Sequence, residues 1–279
     1  MSNRPRYRAV VVVPTFNARH TIGQTLSSIA DSIRHCASTR GGADRIAVSV
    51  VDDASTDDTA SLVVAFARTS PFDVLLTALE QNHGRGHARN RAVAAAAADC
   101  YFFLDHDDEY LPSHITGCLD ALDADPRADF VKTGVQLSDP VHPDWEPRIA
   151  ASLTQNLCIR AYCHGLVGGF HEEPEVEVFG CDDILYNRSL RACCRGLDTP
   201  ARTVTFSRRP GNSFDRQFER KFSRPASEAE VTLSPRQLEV RARVWEIHAQ
   251  RLAEVNGRLR RIASTSRRAS APMEAPAHD

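Results

Sequence analysis

The chain has 279 residues, 42% of them hydrophobic and 25% charged, which are ordinary globular values and enough chain for one large α/β domain with appendages. A formal net charge of −2 removes any argument for a nucleic-acid partner from bulk charge. No stretch approaches the ~20 apolar residues that a bilayer-spanning helix needs, and eight scattered cysteines without paired CxxC spacing exclude a disulfide scaffold of the small secreted kind.

Arg4, Arg6 and Arg8 precede the apolar run Ala9–Val13, but Pro14 ends that run below the ~7 residues of a signal-peptide core, so a cytoplasmic protein is expected. Arg8 to Val13 is β-branched and continuous, the pattern of a strand buried on both faces of a parallel sheet. Pro14 closes it and leaves Thr15 at its carboxyl end. Asn17 reads as a helix N-cap, followed by Ile22, Leu26, Ile29 and Ile33 at helical spacing. After a loop around Gly41-Gly42, Ile46–Val51 is the second strand. It ends in Asp52-Asp53-Ala54-Ser55-Thr56-Asp57-Asp58, where Ser55 or Asp57 can cap a helix through Arg68 and Asp53 faces a ligand crevice.

Val74–Ala78 is a third strand. The loop from Gln81 to Asn90 then holds two glycines, Arg85 and Arg89, and His83 and His87, ahead of an alanine-rich helix through Ala98. A basic loop at a helix start is suited to phosphate. Tyr101–Leu104 is the fourth strand, and it ends abruptly in Asp105-His106-Asp107-Asp108-Glu109. Four carboxylates within five residues repel one another unless a positive charge sits among them, and a hard divalent cation with oxygen ligands is the usual answer. Carboxylates that leave Mg²⁺ or Mn²⁺ partly open commonly share it with substrate phosphates.

The alternation of strand and helix predicts a doubly wound, mostly parallel Rossmann-like sheet with helices on both faces and a crevice along the carboxyl edges of the strands. Thr15, Asp53, Arg89 and Asp105–Asp107 all fall on that edge. Beyond the acidic tip, a helix from Pro112 to about Asp123 and a strand over Phe130–Leu137 are expected. Next comes a proline-rich loop over Asp139–Arg148, with Trp145 as a sugar platform or a core filler. Asn156 to Gly169 should return to the core, and His171–Glu177 reads as an acidic loop. Cys158, Cys163, His164 and Cys181 fit no standard zinc spacing and read as core residues. Asp182 and Asp183 open a further helix, and Ala201–Phe206 is the last strand. An arginine-rich arm follows, helical over Leu233–Ile262, and Ala263–Asp279 has the composition of a disordered tail.

Taken in order, Val11-Val-Val-Pro14-Thr15-Phe-Asn17, Val50-Val-Asp52-Asp53, Asn82-His-Gly84 with Ala88-Arg89-Asn90, Phe103-Leu104-Asp105-His-Asp107-Asp108, Val167-Gly168-Gly169-Phe170 and Asp182-Asp183 resemble the motifs of family 2 glycosyltransferases of the GT-A fold. The resemblance implies a glycosyltransferase domain over residues 1–215, a basic helical extension over 216–262 and a tail over 263–279. It implies transfer of a sugar from a nucleotide sugar, UDP-linked, to an acceptor hydroxyl with inversion. The acceptor would be a glycan, a lipid-linked molecule or a small molecule, and the basic arm is a candidate for peripheral contact with an anionic membrane.

The same resemblance places Pro14, Thr15, Asn17, Asp53, Asn82, Arg89 and Asp105 around the nucleotide, with Arg89 either near the nucleotide or bracing the Asp-x-Asp turn, and gives Asp107, with Asp105, to Mg²⁺ or Mn²⁺. Asp183 takes the place of the base, and Asp182 stands where relatives carry glutamate, which leaves either as the base. Relatives also carry a histidine after the last strand as a metal ligand, and this chain has Ser207-Arg208-Arg209-Pro210 there. Two alternatives remain: a nucleotide-sugar-binding protein without turnover, and a nucleotidyltransferase. The latter normally has a glycine-rich loop after its first strand, which Pro14-Thr15-Phe16-Asn17 is not.

Overall fold

The structure, a computed structural model, describes residues 6–138, 145–207 and 234–269. Residues 139–144 of the proline-rich loop, the side chain of Trp145, the arginines that replace the relatives' histidine and the tail beyond Ala269 lie outside the described residues.

Eight strands form one sheet: β1 (Tyr7–Thr15), β2 (Ile46–Asp52), β3 (Val74–Ala78), β4 (Ala98–Phe103), β5 (Glu109–Tyr110), β6 (Phe130–Leu137), β7 (Leu157–Arg160) and β8 (Gly196–Phe206). Their spatial order is β3-β2-β1-β4-β7-β6-β8-β5. The first four run parallel, β7 is inserted antiparallel between β4 and β6, and β8 runs parallel to β6. The helices are α1 (Ile22–Thr39), α2 (Thr59–Thr69), α3 (Arg85–Ala95), α4 (His114–Ala124), α5 (Trp145–Ser152), α6 (Ala161–Val167), α7 (Pro174–Phe179), α8 (Asp182–Cys193) and α9 (Pro235–Ala269).

The continuous apolar runs of β1 and β2 are buried on both faces, as such runs must be. Val11, Val13, Val48 and Val50 pack with Ile22, Leu26 and Ile29 of α1 and with Ile115 and Leu119 of α4. Val10, Val12, Ala47 and Val51 pack on the other face with Ala88 and Ala92 of α3, Cys163 of α6 and Tyr186 of α8. Small alanines on α3 let that helix lie close to the sheet, and Gly86 on it is obligatory, because a Cβ there would stand 2.2 Å from the carbonyl oxygen of His171.

Several boundaries differ from expectation for local reasons. Asn17 is no helix cap: it sits at φ 48, a conformation Asn tolerates better than most residues, and α1 begins five residues later. The alanine-rich helix stops at Ala95, and Ala98 already pairs with Tyr7, so sheet pairing overrides alanine's helix propensity. The acidic stretch before Gly180 contains α7, opened by Pro174 in its first turn and closed by Gly180 at φ 68. β8 starts at Gly196, five residues ahead of Ala201, and α9 runs to Ala269, past the expected end of the helical arm. Val244 of α9 joins Val176, Cys181 and Leu185 in a small apolar cluster, so the arm is seated on α7 and α8.

Candidate active site

The parallel strands β1, β2 and β4 end on the same edge, and their following loops build a cleft. Thr15 closes β1, is 2% exposed and donates through Oγ1 to the carbonyl of Val51 at 3.2 Å, while Asp53 N donates to Thr15 O at 2.8 Å. Beside Pro14 and Thr15, Asn17 Oδ1 accepts from Thr56 N at 2.9 Å, which ties the β1 loop to the β2 loop. The N-cap of α2 is Asp58; Asp57, one residue earlier, accepts from Thr59 N at 3.0 Å, and the hydroxyl of Thr59 helps hold its carboxyl below the usual range. Asp53 is 3% exposed and accepts the backbone N–H groups of His83 at 2.9 Å and Gly84 at 2.8 Å, and Asn82 Nδ2 donates to Asp53 O at 3.2 Å. Asp53 therefore organises the loop that leads into α3. Its carboxylate retains lone pairs for a further donor.

At the centre of the cleft a guanidinium joins two carboxylates far apart in sequence. Arg89, 1% exposed, donates through Nη2 to Asp105 Oδ1 at 2.6 Å and through Nη1 to Asp182 Oδ2, and it lies over the Phe170 ring at 5.1 Å. The other oxygen of Asp182 accepts from Arg85 Nη2 at 3.0 Å. Burial opposes ionisation of Asp105, but Arg89 and Arg85 outweigh it and hold its carboxyl below the usual range. Asp105 Oδ2 also accepts from Gln155 Nε2 at 2.7 Å.

Of the two places the resemblance allows Arg89, its burial between Asp105 and Asp182 matches the brace; the arginine that reaches solvent is Arg85, whose side chain is 42% exposed. Asp182 is 0% exposed and both its oxygens are taken by guanidiniums, one by Arg85 and the other by Arg89.

Asp183 has the opposite character. It follows Asp182 in the first turn of α8, and burial, reinforced by the neighbouring Asp182 charge, raises its carboxyl to about 6 against the pull of Arg85 and Arg89. Its Oδ1 accepts from Ile184 N at 2.7 Å. Glu177 of α7 leans over Gly84, and its carboxyl is raised by burial and by Asp182.

The described residues contain no preassembled group of three His, Cys, Asp or Glu side chains around a metal position. The tip after β4 nevertheless fits a cation. Asp108 is 1% exposed, its Oδ1 accepts from Ser207 N at 2.8 Å and its Oδ2 is buried with no hydrogen-bond partner among the described residues. Burial and the charges of Asp107 and Asp105 push its carboxyl well above the usual range. A positive charge at the tip would relieve that repulsion.

The structure thus brings Thr15, Asp53, Asn82, Asp105, Asp107 and Asp183 to one edge. The sequence names Arg85 only as part of the basic loop with Arg89, and it gives no role to Glu177 or Gln155. Gln155 carries no local signal, because its partner is fifty positions away.

A mostly parallel sheet with acidic loops at its carboxyl edge and an aspartate pair facing them across the cleft is the architecture of a GT-A glycosyltransferase. The chain belongs to the glycosyl transferase family 2, whose family model matches residues 10–190. Among known proteins it is 30% identical over 100 residues to TuaG of Bacillus subtilis (strain 168), a protein assigned as a teichuronic acid biosynthesis glycosyltransferase; the match covers 36% of each chain. The chain therefore spans only about a third of that relative. The S. aureus TarS 1-349 structure in complex with UDP-GlcNAc superposes with a TM-score of 0.62 at 22% identity, covering 75% of this chain and 60% of that one. A mannosyltransferase from Pyrobaculum calidifontis, PcManGT, in complex with GDP-Man and Mn²⁺, superposes with a TM-score of 0.59 at 20% identity, covering 96% of this chain and 77% of that one. At such identities these structures establish the fold. No helix among the described residues is long and apolar enough to cross a membrane.

Proposed function

We propose that the chain transfers a sugar from a UDP-linked donor to an acceptor hydroxyl of a glycan, lipid-linked or small-molecule substrate, with inversion at the anomeric carbon. The observation that carries this reading is the division of labour between the two adjacent aspartates: Asp182 is locked by Arg85 and Arg89, while Asp183 is raised to about 6. A carboxylate with that affinity for protons is ionised at neutral pH yet basic enough to take a hydroxyl proton. Asp183 accepts the proton as the acceptor oxygen attacks the anomeric carbon. The bond from that carbon to the diphosphate oxygen breaks on the opposite face. One displacement inverts the centre, and no covalent enzyme intermediate is involved.

Pro14, Thr15, Asn17, Asp53 and Asn82 line the nucleotide end of the cleft in this reading, and Arg85 offers its exposed guanidinium to the substrate side. Asp107, with Asp105, would hold Mg²⁺ or Mn²⁺, which when bound neutralises charge on the departing diphosphate. The support for a cation is the unpartnered Oδ2 of Asp108 and the mutual repulsion at the tip. The test is turnover of a panel of UDP-sugars by wild type, Asp183→Asn and Asp107→Ala, with and without chelator. Wild-type turnover that is lost in Asp183→Asn, with UDP binding retained, supports the reading. Turnover that survives in Asp183→Asn refutes the base, and turnover indifferent to both chelator and Asp107→Ala refutes the metal.

A further inference from the structure

Lys132 occupies a mid-strand position of β6 where an apolar side chain would be expected. It is 3% exposed, and its ammonium donates to neutral oxygens. Burying an ammonium without a counter-ion is expensive, and burial pulls its proton affinity down to about 7. Three acceptors offset that cost: Nζ donates to the carbonyl of Leu153, to Asn156 Oδ1 at 3.1 Å and to Asn187 Oδ1 at 2.9 Å. An ammonium has three N–H groups, and all three are used.

Those acceptors belong to the two segments that carry the halves of the cleft. Asn156 donates through Nδ2 to the carbonyls of Thr133 and, at 3.0 Å, Ala150, which fixes the turn between α5 and β7. That turn contains Gln155, whose amide holds Asp105 Oδ2 at 2.7 Å. Asn187, one helical turn after Asp183, donates through Nδ2 to the Asp183 carbonyl at 2.9 Å and to Ser152 O at 2.8 Å. Lys132 is thus one bond from the turn that steadies the acidic tip and one bond from the residue that steadies the first turn of α8.

We infer that Lys132 is a positioning residue that sets the separation between Asp105 and Asp183, an inference that rests on the reading of Asp183 as the base. Because transfer needs the donor and the base at a fixed distance, a shift of about 1 Å can cost on the order of a hundredfold in rate. In that reading uridine binding falls to Pro14, Thr15, Asn17, Asp53 and Asn82, none of which touches Lys132 or Asn187, so affinity for UDP should respond little to that separation.

The test measures kcat, KM and the Kd for UDP in Lys132→Met, Asn187→Ala and the double variant. In Lys132→Met, kcat should fall roughly ten- to a hundredfold while the UDP Kd stays within about twofold. Asn187→Ala should show the same split to a smaller degree, and the double variant should be no worse than Lys132→Met alone, as for residues acting in one network. Should Lys132→Met fail to fold, the split in Asn187→Ala decides. An unchanged kcat, equal losses in kcat and UDP affinity, or additive losses would overturn the inference and leave the base assignment standing. Retention of turnover by Asp183→Asn in the same assay would take both down.

Discussion

Asp183→Asn should make the protein more stable while disabling it, and the gain should depend on pH. The folded state raises the Asp183 carboxyl from the ordinary aspartate value of 3.8 to about 6. A carboxylate raised in this way costs stability wherever it is ionised in the folded protein. Below about pH 4 the group is neutral in both folded and unfolded chains and the cost vanishes; it grows between about pH 4 and 6 and is complete above about pH 6. Each pH unit corresponds to about 1.4 kcal/mol, so the limit is near 3 kcal/mol, and about 2 kcal/mol is a fair expectation once residual hydration is allowed. Asparagine keeps an oxygen to accept from Ile184 N, so the substitution removes the charge and little else. For a domain of this size that is a rise in Tm of about 4–8 °C. Urea or thermal unfolding of both proteins at pH 4, 6 and 8 measures it. Destabilisation by the variant, or a gain independent of pH, would refute the burial argument on which the base assignment depends.

Other expected outcomes follow from the same contacts. Arg89→Met leaves Asp105 and Asp182 buried without their shared partner and should lower stability by about 3–5 kcal/mol in urea unfolding, with much of the loss recovered in Arg89→Met/Asp182→Leu. Lowering pH should weaken the intact brace as Asp105 is protonated, because its carboxyl is held below the usual range in the folded state. Gly86→Ala would press a Cβ to 2.2 Å from a backbone oxygen and should cost at least about 1–3 kcal/mol, read by differential scanning calorimetry. Val244→Asp, at a side chain 0% exposed, should unseat α9 from α7 and α8, visible as faster amide exchange in α7.

The first half of the fold is legible in the chain because β1 and β2 are unbroken β-branched runs, each followed by a periodic helix. The same runs announce the ends that carry Thr15 and Asp53, and the apolar run of β4 announces the end that carries Asp105. Beyond Leu137 the signals weaken. Pro174 and Gly180 bracket α7 in the sequence, but the acidic residues between them resemble a solvated loop. Gly196 opens a strand only because its missing side chain admits the Phe130 ring, a contact no local pattern reveals. The site divides in the same way. Asp105, Asp107 and Asp183 declare themselves by charge at strand and helix ends, whereas the bond from Arg89 to Asp182 spans ninety-three positions and no local pattern reveals it. That Arg85 and Arg89 both pair with Asp182 is likewise visible only in three dimensions.

The central claim is that a diphosphate lodges at the tip after β4 with its sugar turned toward Asp183. A crystal structure with a UDP-sugar and Mn²⁺ tests it most directly. The diphosphate should lie beside Asp105 and Asp107, the uridine against Thr15 and Asp53, and the Asp183 carboxylate on the face of the anomeric carbon opposite the diphosphate. A nucleotide bound away from that tip, or a sugar directed away from α8, would contradict it.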